Sequence, residues 1–129
     1  MTLDADALRA MHERKTGALI TAAAESGAVM AGGDDVLVTA IRHYAAQLGL
    51  AFQIVDDVLD VEGDAATLGK SAGKDAASAK PSYPAFYGVE RSRAMAAECV
   101  QAALGTLETA RLTRGWLPSI AEWMLHRKH

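Results

Sequence analysis

An all-α fold is what this sequence predicts, on three observations. Alanine is the commonest residue and strand formers are sparse. The three prolines stand at 81, 84 and 118, which leaves long stretches unbroken. Between residues 38 and 59 the apolar residues recur at intervals of three and four, the spacing of a helix face.

The elements follow in order. Asp4 or Asp6 is placed to cap a first helix, and LRAMHERKTGALITAAAESGAVMAG continues it to about Gly32. Gly17 and Gly27 weaken that helix by roughly 1 kcal/mol each. In return, its glycines and alanines allow a neighbouring helix to come close. Gly32-Gly33 ends it. Asp34 or Asp35 caps a second helix, whose stripe is Val38, Ile41, Ala45, Leu48, Phe52, Val55 and Leu59. It runs to about Val61, roughly 42 Å of helix. Its apolar fraction rises over 48–61, so that half is expected to be buried between other helices.

Residues 62–82, with Gly63, Gly69, Gly73 and Pro81, read as an ordered loop. Ser82 to Gly88 reads as a short helix with Pro84 in its first turn. Residues 89–110 form a surface helix with Ala94, Ala97, Val100, Leu104 and Leu107 on one face. Pro118 opens a last helix, making about five. Trp116 and Trp123 are expected to pack, and Cys99 to face the core.

A chain of 129 residues, half of them hydrophobic, fits a single domain with a real core. The formal charge of -3 gives no general attraction to nucleic acid or to an anionic membrane. One cysteine excludes an internal disulfide framework or thiolate cage. The N-terminal MTLDADALRAMHERK lacks the apolar run of a signal peptide. No membrane span is expected, so the expected setting is cytoplasmic.

The chemistry concentrates in FQIVDDVLDVEGDAATLGKSAGKD, residues 52–75. Asp56 and Asp60 are four apart and Asp57 and Asp60 three apart, so they overlap along a helix. Like charges at that spacing repel unless a cation compensates, and neutralising them should then stabilise the cation-free chain. Hard carboxylate oxygens suit Mg²⁺ held through one or two carboxylates plus a substrate's phosphates. Basic residues complete the pattern: Lys15, followed by Thr16, on the first helix, then Lys70, Lys74 and Lys80 among glycines 69 and 73. Those glycines can bring backbone N–H groups close to anionic oxygens. Carboxylates and lysines together point to a metal-bridged diphosphate.

HERKTGALI at 12–20, YAAQLGLAFQIVDDVLDVEGD at 44–64 and TLGKSAGKDAASAKPSYPAFYG at 67–88 stand in this order. In that combination the chain resembles the C-terminal half of a trans-prenyltransferase of the farnesyl (geranyl) diphosphate synthase family. The resemblance implies a partial isoprenoid-synthase helical bundle, all of 1–129 being the C-terminal part of one domain. It implies condensation of isopentenyl diphosphate with an allylic diphosphate, with Mg²⁺ as cofactor. Asp56 and Asp57 would hold the metal, with Asp60 direct or through water. Lys15 and Lys70 would contact the allylic diphosphate, and Lys80 would be another lysine of the cleft. Thr16 and Gln53 would line the reacting end, and Phe52 would pack at the cavity wall.

The family's first aspartate-rich motif and its arginine pair do not occur before Lys15. Asp34-Asp35 reads as a helix cap. The chain alone is therefore expected to be inactive, and to be completed by an N-terminal half or by self-association. A truncated, non-catalytic relative that keeps a Mg²⁺–diphosphate wall, or a partner-docking domain, is the alternative. His12 reads as a hydrogen-bonded helix histidine and Tyr83 as a structural residue after Lys80. The RKH of residues 127–129 reads mainly as basic charge suited to a helix C-terminus; the alternative, which the resemblance implies, is a C-terminus that approaches the site and helps to close it.

Overall fold

The computed structural model describes residues 4–68 and 81–128, with side chains for all of these except 64–68. Asp4 starts α1 (Ala5–His12), its carboxylate accepting the Ala7 N–H at 2.7 Å. The rod then widens into a π-helical turn, Glu13–Gly17, and returns to α-helix as α2 (Ala18–Met30). The predicted first helix is thus a single rod with an irregular turn at ERKTG, which helical periodicity alone does not reveal. Gly32 closes it at φ 81°. Its N–H donates to Val29 O and that of Gly33 to Ala28 O, each at 3.0 Å. This is the paired bonding of a Schellman motif.

Asp34 caps α3 (Asp35–Leu68) through the Leu37 N–H at 2.8 Å. Its 34 residues extend about 51 Å at ~1.5 Å each. It passes Val61, so residues 62–68 are helix where a loop was expected. Gly63 has open space around it and weakens the helix only through its own flexibility. The remainder of the expected loop, 69–80, lies outside the described residues.

Ser82 caps α4 (Tyr83–Tyr87), with Pro84 in its first turn. Gly88, at φ 83°, turns the chain into α5 (Val89–Thr109), and α6 (Leu117–His126) follows a short break. Counting α1 to α2 as one, five helical rods and no strand occur among the described residues. None of these helices is long and apolar enough to cross a membrane.

The long α3 is the axis. On one flank it packs along α5, with α6 and α4 on the same side; the α1–π–α2 rod lies on another flank. Ile54, Val55 and Val58 of α3 are buried with Val100 and Leu107 of α5 and Met124 of α6. The buried face of α5 is Ser92, Ala96, Cys99, Val100, Ala103 and Leu107. It is rotated from the expected stripe, leaving Ala94 exposed and Ala97 and Leu104 half-buried. Alanines surround this helix, so hydropathy does not single out a face; the small side chains at 96, 99 and 103 do, by admitting α3 closely.

The tryptophans also depart from expectation. Ala121 and Met124 hold α6 to the core. Residues 116, 120 and 123 fall on the opposite line, leaving Trp116 80 % and Trp123 56 % exposed. Tyr44 ties α3 to the start of α6, its hydroxyl donating to Leu117 O at 2.7 Å. Burial pushes that phenol up to about 12.

Candidate functional site

The acidic turn of α3 meets the π turn and α4. Adjacent residues on an α-helix do not face the same way, and Asp56 and Asp57 have different surroundings. Asp57 points inward and is buried. One carboxylate oxygen accepts the Tyr83 backbone N–H at 3.1 Å, and the other accepts Gln53 Nε2 at 3.2 Å. A buried carboxylate is costly unless donors meet it, and here two do. Gln53 Oε1 in turn accepts the Thr16 hydroxyl at 3.4 Å, a long contact. Thr16, Gln53, Asp57 and Tyr83 thus form one hydrogen-bonded line linking the π turn, α3 and α4.

Asp56 is half-exposed and Asp60, one turn on, is exposed. Lys15 is exposed on the π turn. Lys70, Lys74 and Lys80 lie outside the described residues. Among the described residues no group of three or more His, Cys, Asp or Glu side chains converges on a position for a metal ion. Asp57, expected as a ligand beside Asp56 and Asp60, is engaged here by Tyr83 and Gln53. Asp56 and Asp60, hard oxygen donors four residues apart on the accessible side, fit an ion such as Mg²⁺, which needs only one or two carboxylates beside water and phosphate oxygens.

His12, expected to be hydrogen-bonded, is 6 % exposed, and its Nδ1 is buried without a partner among the described residues. Its ring centroid lies 5.5 Å from that of Tyr83. Burial holds its pKa below 6.5, opposed by Asp57; Lys15 lowers it further and Asp56 opposes again. The Tyr83 phenol is raised mainly by burial, while the nearby Arg9 guanidinium lowers it. No hydrogen bond of ordinary geometry reaches its hydroxyl among the described residues. Tyr83 is structural as expected, through its backbone N–H as well as its ring.

Arg127, read from the sequence mainly as basic charge at a helix C-terminus, reaches the acidic turn. Its Nη2 donates to Phe52 O at 3.0 Å and stands 3.6 Å from Asp56 Oδ1. Its guanidinium carbon lies 4.1 Å from the centre of the Phe52 ring. Phe52 therefore forms a platform for a cation, and Arg127 is folded inward instead of trailing beyond the helix. The basic RKH was the available signal, but nothing in the spacing says which carboxylate it reaches.

A groove of about 610 Å³ opens between the π turn, α2 and α3, lined by His12, Gly17, Ala18, Gly49 and Leu50 among others. Asp56 and Asp57 do not line it, so the groove and the acidic turn are separate features. Beside it Gly17 and Gly49 are in close approach: a Cβ on Gly49 would sit 3.0 Å from Gly17 Cα. This is the close helix contact that glycine was expected to allow.

Residues 1–113 match the family model described as polyprenyl synthetase. The chain is 42 % identical over 127 residues to the farnesyl diphosphate synthase of Escherichia coli (strain K12), covering 95 % of this chain and 42 % of that one. It is 38 % identical over 127 residues to a dimethylallyltranstransferase of Fischerella ambigua (strain UTEX 1903), covering 98 % and 37 %. The apo crystal structure of an FPP/GFPP synthase from Zymomonas mobilis matches with a TM-score of 0.78 at 28 % identity, over 96 % of this chain and 39 % of that one. The chain therefore spans 37–42 % of the length of these relatives.

Proposed function

The chain belongs to the polyprenyl synthetase family, and from that premise we propose that it forms the C-terminal part of a prenyltransferase domain of the farnesyl diphosphate synthase type. In this reading it contributes the second aspartate-rich motif and the wall that holds an allylic diphosphate, which condenses with isopentenyl diphosphate. The observation that carries the reading is the hydrogen-bonded line from Thr16 through Gln53 to Asp57. It brings together two motif blocks 37 residues apart in sequence.

The residues divide the work. Asp56 and Asp60 offer oxygens to Mg²⁺, which would supply positive charge for the diphosphate leaving group. Asp57 belongs to the same motif but acts chiefly as a strut, fixing the start of α4 and the amide of Gln53. Lys15, and in the family pattern Lys70 and Lys80, bind the diphosphate as point charges. Thr16 and Gln53 present oxygen dipoles toward the reacting end, where an allylic carbon gains positive charge as its C–O bond breaks. The double bond of isopentenyl diphosphate then attacks that carbon, and the departing diphosphate accepts the proton released. No side-chain nucleophile is required.

Diphosphate departure needs charge supplied from more than one side, and loss of a single stabilising donor can cost ~10²–10³ in rate. The 129 residues alone are therefore expected to give no measurable product from labelled isopentenyl diphosphate and geranyl diphosphate. Supplying the remaining portion of a relative's fold should restore product. The assay is run over a range of chain concentrations. Product rising with the square of concentration would mark self-complementation between copies. Robust product at high dilution from the chain alone would overturn its role as one part of a site. Mg²⁺-dependent binding of pyrophosphate that never leads to product, even with the complement, would favour a non-catalytic diphosphate-binding domain.

A further inference from the structure

We propose that Arg127 is a built-in counter-ion for Asp56, so that a divalent cation on the acidic turn and the docked C-terminal tail compete for that carboxylate. The proposal rests on the reading of Asp56 as a cation-facing residue, but its geometry is independent of any reaction. The Arg127 side chain is 4 % exposed, although the residue follows the last turn of α6. It crosses to α3 and meets a carbonyl 75 residues away in sequence.

The docking is incomplete. A guanidinium carries five N–H donors. Among the described residues one hydrogen bond is made, to the Phe52 carbonyl. The 3.6 Å approach to Asp56 is an ion pair too long for a good hydrogen bond. Nε is buried with no partner among the described residues. The contact with the Phe52 ring adds attraction without satisfying any donor. Meanwhile the Asp56 side chain remains 44 % exposed, open to an ion arriving from solvent.

Two cations on one carboxylate repel each other over a few ångströms. An arriving dication must accept weaker binding or push the guanidinium away. Release costs little structure, because Ala121 and Met124 keep α6 in the core. The movement is confined to residues 125–128, where the Arg127 N–H now donates to the Trp123 carbonyl at 3.1 Å.

Mn²⁺ binding to the whole chain, followed by electron paramagnetic resonance at low ionic strength, tests the competition. R127Q should bind Mn²⁺ about fivefold more tightly than the unmodified chain, the size expected for removing one partly screened charge. R127K, which keeps the charge, should stay close to the unmodified chain. In the unmodified chain, saturating Mg²⁺ should speed hydrogen exchange at the Arg127 amide, a measurement that needs no variant. Equal Mn²⁺ affinities, with binding abolished by D56N, would overturn the competition and leave Asp56 as a cation-facing residue. Unchanged exchange at Arg127 under saturating Mg²⁺ would also overturn it. Failure of both chains to bind Mn²⁺ would remove the cation from Asp56 and overturn both readings.

Discussion

The two flanks of α3 are made of opposite materials and end in opposite states. On one, α5 mixes charged residues with alanines, yet six of its side chains are buried. On the other, α2 reads ALITAAAESGAVM, with a single charge in thirteen residues, and none of its side chains is buried. Leu19, Val29 and Met30 face outward. A helix with one wet face needs polar residues there, and α5 has them. A helix apolar all round is suited to enclosure, and among the described residues α2 meets little besides α3 and the π turn. The difference separates a closed flank from one that is open among the described residues. The acidic turn and the π turn lie along the line between these two regions.

The largest effect that could break this comparison is a truncation on each flank. Leu107→Ala, in the closed core, should cost about 2–5 kcal/mol. Leu19→Ala, on the open flank, should stay within about 0.5 kcal/mol. Urea denaturation at low protein concentration measures both. Similar losses at the two positions would mean that α2 is covered in solution.

Next in size is Asp57→Asn. Neutralising the aspartates was expected from sequence to relieve repulsion. With Asp57 accepting from Tyr83 and Gln53, the asparagine instead sets an NH₂ group against a donor. A loss of about 1–3 kcal/mol is expected, in the absence of any cation. A higher melting temperature for this variant would show that repulsion outweighs the two hydrogen bonds.

A smaller loss, about 1 kcal/mol, is expected for Tyr44→Phe, which removes the hydroxyl that donates to the Leu117 carbonyl. The change should loosen α6 against α3 and leave α2 untouched. Hydrogen exchange resolved by segment checks this, and faster exchange in α2 would contradict the independence of the flanks.

The smallest effect is a pH dependence from His12. Its folded pKa lies below 6.5, mainly through burial. The unfolded chain therefore takes up a proton first as pH falls. Stability drops as pH falls from above 6.5 through the folded pKa, then levels off with respect to this group. An NMR titration of His12 should give a midpoint below 6.5, and H12Q should lose less stability over the same window. A midpoint above 6.5 would mean that Asp57 and Asp56 outweigh burial.

Much was legible from local pattern. Asp4 and Asp34, each one of two candidates, act as caps because each accepts an N–H three residues ahead, an interaction contained within the first turn of a helix. The helical class and the break at Gly32-Gly33 are equally local. The recognised motif blocks carried the family assignment. The π turn at ERKTG was not legible, because it changes the backbone pairing without changing the hydrophobic period. Nor was the extension of α3 past Val61, where Gly63 suggested a loop but the helix continues through it.

By itself, then, the sequence determined what neighbours along the chain can decide: helices, caps, and the placing of carboxylates along one helix. Tertiary structure decided how those carboxylates are used. Asp57 turns inward because the Tyr83 N–H, 26 residues away, meets it there. Asp56 stays half in water and gains Arg127 because α6 returns to Phe52 from 75 residues away. The physical reason is that the cost of burying a charge is set by the donors that surround it, and here those donors arrive from parts of the chain that no local pattern connects.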